Sequence, residues 1–248
     1  MKKFSLLAAA AMLAVVLLPV SGQAKKSYIN GIDANYPPHA YVDETGKPAG
    51  FDVDALNWIA KKMDFEVKHQ PMDWDGIIPA LLAKKIDMVC SGMSVSEERK
   101  RSVTFSDPYW SIKKVFVVKK GTKTSVDEIR KGNKRVGVQR GTNEHELLEQ
   151  EVENKVSNFT LRFYDSGPMA IEDLLNGRAD AVAMDSAPAN DAIAKGKPVE
   201  IVGEFAPNDD FAVATRNEDQ ELRDILNKGF KLLMADPYWQ ELQAKYFK

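Results

Sequence analysis

With one cysteine in 248 residues, Cys90, the chain can form no internal disulfide, so packing alone must hold it together. Histidine is almost as scarce. His39, His69 and His145 lie far apart, without the spacing of a metal site. Asp52-Val53-Asp54 lacks the remainder of a calcium loop and fits the start of a helix. Neither a nucleophile elbow nor a phosphate-cradling glycine loop occurs. Low-complexity segments and flexible linkers are also missing. Charge of one sign is not in excess. Setting aside Lys2 and Lys3 takes the 34 basic residues to 32, against 36 acidic ones, a net charge of −4. That balance leaves no footprint for nucleic acid or an anionic membrane. No cofactor, metal or nucleic acid is therefore expected.

Only one long apolar run is present, the thirteen residues Leu6–Leu18. It follows Lys2 and Lys3 and ends in Pro19 and the small-residue stretch Ser21-Gly22-Gln23-Ala24. A bilayer needs about 20 apolar residues, so the run fits a signal-peptide core better than an uncleaved anchor. Residues 1–24 are expected to be removed, giving an exported chain that starts at Lys25. No cysteine stands near the cleavage point to carry a lipid. The remaining 224 residues suffice for one large domain or two lobes of about 100 residues. Cys90, at the end of an apolar run, reads as a small core residue.

Hydrophobic patterning gives an α/β order. Tyr28–Gly31 reads as a strand, followed by a proline-stiffened loop with Tyr36 and Tyr41 and a turn at Glu44–Pro48. Phe51–Met63 has a helical apolar face, Glu66–His69 is a strand, Trp74–Ala83 is helical and Ile86–Cys90 is a central strand. Val115–Val118 leaves this first unit. A second series follows: strand Arg135–Val138, a helix opened by Gly141-Thr142-Asn143, strand Thr160–Tyr164, helix Met169–Leu175, strand Ala181–Met184 and strand Val199–Val202. Phe211–Thr215 reads as a strand returning to the first unit, and the tail is helical. Alternation of this kind implies right-handed crossovers and a largely parallel sheet in each unit. Strands crossing between the units would act as a hinge.

The chain is organised around Asp87–Arg99. Its apolar strand empties into the turn Ser91-Gly92-Met93-Ser94, and Arg99 follows with a planar cation suited to a carboxylate. In open α/β sheets ligands bind beyond the carboxyl ends of strands. Seven stretches resemble one family: Gly31–Pro38, Gly50–Asp54, Trp74–Leu81, the central stretch to Arg99, Thr104–Tyr109, Val136–Thr142 and Arg178–Ala181. The family is the periplasmic solute-binding proteins of polar-amino-acid ABC transporters. The likeness runs in register from about Tyr28 to Phe247. It implies a type II periplasmic-binding-protein fold, two α/β lobes joined by two crossing strands. Lobe one would take residues 25–110 and 215–248, and lobe two residues 114–209. It also implies a monomer that binds a free amino acid and delivers it to an inner-membrane ABC permease with its ATPase.

By this resemblance Arg99 pairs with the ligand α-carboxylate, helped by backbone N–H groups near Ser94, Thr142 and Asn143. Asp185 receives the α-ammonium, with the Gly92 carbonyl and the Ser94 hydroxyl. Tyr36 and Trp74 sandwich the ligand side chain. Asp33 stands where binders of lysine, arginine or ornithine place a carboxylate, although glutamine binders can carry an acid there too. Gln139, Asn143 and Glu144 line the adjoining loop. The expected ligand set is therefore Asp33, Tyr36, Trp74, Ser91, Gly92, Met93, Ser94, Arg99, Gln139, Thr142, Asn143 and Asp185. A basic side chain is favoured, with glutamine or histidine as alternatives. Read without the resemblance, Arg99 is an exposed helix residue, Asp185 a turn or N-cap aspartate, and Trp74 a core residue. Two other roles stay open: a dehydratase of the same fold, using a cleft acid to protonate a leaving hydroxyl, and a secreted ligand sensor. His39 departs from the family pattern, where phenylalanine is common.

Overall fold

A computed structural model describes residues 25–247. The signal peptide expected at 1–24 lies outside the described residues. The chain folds into two α/β lobes, each built on a five-stranded sheet.

The first lobe opens with β1 (Ser27–Asp33), followed by a small antiparallel sheet of β2 (Asn35–Tyr36), β3 (Ala40–Val42) and β4 (Pro48–Ala49). Helix α1 (Phe51–Lys62) comes next, then β5 (Glu66–Met72), α2 (Ile77–Leu82), β6 (Met88–Val89), α3 (Glu97–Lys100) and β7 (Thr104–Phe105). The expected helix from Trp74 starts instead with a short 3-10 turn at Trp74–Gly76. The central strand is shorter than its apolar run, because only Met88 and Val89 pair within the sheet.

Strand β8 (Trp110–Lys119) crosses to the second lobe. There α4 (Val126–Lys131), β9 (Arg135–Gln139), α5 (Asn143–Glu153), β10 (Thr160–Tyr164), α6 (Gly167–Leu175), β11 (Ala181–Asp185) and α7 (Ser186–Ala194) alternate. The return path is β12 (Val199–Phe211), which pairs antiparallel with β8 along its length through three register shifts. Phe211 therefore closes β12. Of the expected strand Phe211–Thr215, only β13 (Ala214–Thr215) joins the first sheet, antiparallel to β6 and β7. Helices α8 (Gln220–Met234) and α9 (Pro237–Tyr246) finish the chain, α9 capped by Asp236 with proline in its first turn.

Strand order in the first sheet is β5-β1-β6-β13-β7, and in the second β10-β9-β11-β8-β12. The parallel pairs β1/β5, β1/β6, β9/β10 and β9/β11 point their carboxyl ends towards the gap between the lobes. Each sheet is covered on both faces. In lobe one, Phe51, Leu56, Ile59, Leu226, Phe230 and Leu233 fill one side, and Ile77, Leu81, Ile86 and Val103 the other. Cys90 is wholly buried in the first of these clusters. His39, too, is wholly buried, ringed by Tyr36, Phe51, Trp110, Phe211 and Phe247, with Nδ1 3.4 Å from Asp52 Oδ1. It packs at the root of the hinge strands rather than at the cleft rim.

A polar clamp ties β5 to the central strand. Asn30 accepts from Cys90 N and donates to Cys90 O, and its amide also donates to His69 Nδ1. The other ring nitrogen of His69 faces Asn57 Oδ1 at 3.1 Å. This arrangement suits a neutral imidazole, and burial holds the His69 pKa down to about 4. The unfolded chain, with a histidine near 6.5, binds a proton first as pH falls. Stability from this group is therefore full above about pH 6.5 and is lost as pH falls towards about 4. The expected loss is about 2 kcal/mol once partial exposure is allowed for. Denaturant titrations at about pH 7 and about pH 4.5 should show this loss. It should shrink in His69→Gln, and an equal loss in both proteins would contradict the assignment.

Candidate functional site

The cleft between the lobes holds a small cavity. Its walls are Asp33, Tyr36, Trp74, Ser91, Gly92, Ser94, Arg99, Gln139, Thr142, Asn143, Glu144 and Asp185. Eleven of the twelve residues expected from the sequence thus face one space. The exception is Met93, which is fully buried in the lobe-one core beside Trp74, Ile77 and Val103. Gly92, with φ near +59°, turns the chain so that Ser91, Gly92 and Ser94 face the cleft and the Met93 side chain faces inward. Only the Met93 carbonyl stays near the hinge, accepting from Ala212 N.

Arg99 sits in α3, whose N-cap Ser96 accepts from the Arg99 N–H. Its guanidinium is 4% exposed and lies 5.5 Å from the centre of the Trp74 ring. Nη1 donates to the Ser94 carbonyl at 2.7 Å and Nη2 to the Gly141 carbonyl at 3.0 Å. No carboxylate pairs with it among the described residues. Burial lowers its pKa, partly opposed by Glu146, Glu144, Asp209 and Asp185. An arginine keeps its charge regardless. The cation is therefore buried with neutral carbonyls for company.

The opposite wall is acidic. Asp185, at the end of β11, accepts from Tyr36 Oη at 2.5 Å through Oδ2, while its Oδ1 has no donor. Burial, and then the charge of Glu144, push the Asp185 carboxyl well above the usual range. Glu144 in the first turn of α5 is 4% exposed, and its Oε1 also lacks a donor. The sequence places Glu144 on the adjoining loop but outside the expected ligand set, because first-turn glutamates usually face solvent. Its signal was its spacing: Glu144 lies four residues before the buried Leu148, on the same helical face. Thr142 caps α5, accepting from His145 N and donating to the Gln139 carbonyl.

Asp33 is engaged from both sides. Its Oδ1 accepts from Asn35 N and its Oδ2 from Gln139 Nε2, each at 2.8 Å, and burial raises its pKa. Asp52 escaped the sequence reading of the site. Wholly buried behind the Ser91–Ser94 turn, it accepts from Gly92 N at 2.6 Å and from Tyr109 Oη at 2.9 Å. It thereby fixes the turn that lines the cleft.

Four bonds cross the cleft: Tyr36 to Asp185, Gln139 to Asp33, Trp74 Nε1 to the Gly141 carbonyl at 2.9 Å, and Arg99 to the same carbonyl. A fixed cation and a group of buried acids therefore meet in one closed space. Such a space suits a small molecule carrying both signs of charge. Among the described residues no group of histidine, cysteine and acidic side chains could hold a metal ion.

The sequence profile of bacterial extracellular solute-binding proteins, family 3, matches residues 28–248. The chain belongs to this family. The solute-binding protein is 34% identical over 255 residues to the L-arginine-binding protein of Pseudomonas aeruginosa strain PAO1, covering all of this chain and 97% of that one. Among solved structures it resembles an ancestral arginine-binding protein bound to arginine, with TM-score 0.83 and 35% identity over 90% of this chain and 99% of the other. It also resembles an ancestral amino acid-binding protein described as a precursor of cyclohexadienyl dehydratase, with TM-score 0.81 and 32% identity over 90% of this chain and 96% of that one. The fold is the two-lobed, type II fold of periplasmic amino-acid-binding proteins.

Gly92 offers a direct check on the wall geometry. A Cβ there would lie 2.4 Å from Tyr36 Cε1, and the backbone is already in the left-handed region. Tyr36 cannot yield freely, being bonded to Asp185 and stacked 5.6 Å from His39. Gly92→Ala should cost about 1–3 kcal/mol and lower the thermal midpoint. An unchanged midpoint would mean that Tyr36 is not held there.

Proposed function

We propose that this solute-binding protein is exported to the periplasm, closes around a free L-amino acid with a basic side chain, and hands it as a monomer to an inner-membrane ABC permease driven by its ATPase. Arginine, lysine and ornithine are the favoured ligands. The observation that carries this reading is the placement of Arg99 and Asp185. They come from opposite lobes, are both buried, face one cavity and have no ion-pair partner of their own among the described residues. An α-carboxylate on Arg99 and an α-ammonium at Asp185 would compensate both charges in a single step. Asp33 and Glu144 add negative charge beside them, which favours a cationic side chain over a neutral one. Trp74, Tyr36, Ser91, Gly92, Ser94, Gln139, Thr142 and Asn143 shape the space around it.

A ligand bonded to both lobes stabilises the closed form by its differential affinity for that form. Residues 25–110 with 215–248 would move as one body and residues 114–209 as the other, turning about β8 and β12. A binding role without catalysis is supported by the names of the relatives and by the matched pair of opposite charges. A second reading has one observation in its favour. The raised pKa of Asp185 is what a general acid requires, as in a dehydratase that protonates a leaving hydroxyl. Such a substrate brings no ammonium to compensate Asp185, and this places the reading second.

Calorimetric titration of the mature chain, stripped of ligand by unfolding and refolding, tests both readings against the common amino acids and ornithine. Arginine, lysine or ornithine should bind, and Arg99→Ala or Asp185→Ala should weaken binding by about 3 kcal/mol, roughly a hundredfold. Preference for glutamine or histidine would reject Asp33 and Glu144 as partners of the side chain. Absence of binding to every amino acid would reject the zwitterion and bring the dehydratase forward.

A further inference from the structure

Glu144 has a clearer task than adding charge. We propose that Glu144 and Asp185 form a carboxyl pair that shares one proton in the empty cleft and gives it up when the ammonium of an amino acid enters. The proposal rests on the amino-acid reading above and assigns Glu144 as a determinant of how that reading depends on pH.

The two side chains reach one spot from different elements, Glu144 from the first turn of α5 and Asp185 from the end of β11. They are 4% and 7% exposed and line the same cavity. Asp185 Oδ2 is occupied by Tyr36 Oη. Asp185 Oδ1 and Glu144 Oε1 are both buried acceptors with no donor among the described residues. Two ionised carboxylates so placed repel each other and remain unsatisfied. One proton on either oxygen supplies the missing donor and relieves both faults, as in other carboxyl pairs that titrate together.

Among the described residues the nearby cations are directed elsewhere. Lys114 on β8, opposite Asp185 in the sheet register, is paired with Asp209. Arg99 points its Nη atoms to the Ser94 and Gly141 carbonyls and makes no ion pair with either acid. Tyr36 donates to Asp185, and behind it His39 faces Asp52, itself an acid. On α5, Glu146 adds negative charge and the His145 ring turns outward onto Phe163. Burial and the charge of Glu144 accordingly hold the Asp185 carboxyl well above its ordinary range.

An α-ammonium brings three N–H donors, enough for both orphan oxygens. When it enters, the O–H bond of the pair breaks, the proton passes to solvent water and the bound cation takes over the charge. No other bond changes. Each ligand bound should thus release about one proton while the pair is singly protonated, and affinity should rise about tenfold per pH unit over that range.

The test is calorimetry of the mature chain with L-arginine, and with L-glutamine as a second probe, in buffers of low and high ionisation enthalpy from about pH 5 to about pH 8. We expect release of about one proton per ligand, an affinity that climbs with pH and then levels, and loss of both effects in Glu144→Gln. Binding with no proton release and a flat profile would overturn the shared proton and leave the amino-acid reading intact. Undiminished release in Glu144→Gln would remove Glu144 from it. No binding of either probe, or of any other amino acid, would overturn the underlying reading and this proposal together. The wild-type proton count decides the matter even if the variant fails to fold.

Discussion

A guanidinium that is almost fully buried, with only carbonyl oxygens around it, is an expensive thing for a fold to hold. Removing an ion from water costs several kcal/mol even after relaxation, and neutral dipoles recover only part of that. Arg99 is in this state, and a few residues across the cleft Asp185 and Glu144 are in the opposite one. Charges of both signs line one cavity from opposite sides instead of being paired directly. The geometry is suited to a guest that carries the complementary charges on adjacent atoms. Specificity for a zwitterion then follows from desolvation, because a molecule lacking either charge leaves one wall uncompensated.

The remainder of the chain holds these walls in place. Parallel strands bring β1, β6, β9 and β11 to the gap at their carboxyl ends, and each delivers wall residues there or just beyond: Asp33, the Ser91–Ser94 turn, Gln139 and Asp185. Behind the turn, Asp52 grips Gly92 N and Tyr109 Oη, so the first turn of α1 sets the floor of the site. His39 takes a place among five aromatic rings at the base of the hinge, where its Nδ1 can meet Asp52. The antiparallel β8–β12 ribbon, broken by register shifts, joins the lobes.

Much of this was legible in the sequence because it rests on local rules. Hydrophobic periods and turn residues place the strands and helices, and the order of seven stretches fixes the fold. Asp33, Gln139 and Asp185 were assigned to the cleft by the family resemblance, and each stands at the carboxyl end of a strand, where ligands of open α/β sheets bind. Side-chain direction within a turn could not. Met93 sits between two cleft residues, and the left-handed Gly92 sends it into the core. Asp52 was missed, and Glu144 was left outside the expected ligand set, for a related reason. Burial of a charged residue depends on partners distant in sequence, Asp185 for the one and Gly92 and Tyr109 for the other. The end of β12 was misplaced because Phe211 has the apolar character of the strand that follows it, while its pairing is with Trp110.

The most direct measurement is a crystal structure of the mature chain with L-arginine in the cleft. The account predicts the α-carboxylate on the guanidinium of Arg99 and the backbone N–H groups at Thr142 and Asn143. It places the α-ammonium between Asp185 and Glu144, with the side chain running towards Asp33. A ligand reversed in the cleft, or seated away from Arg99 and Asp185, would contradict it.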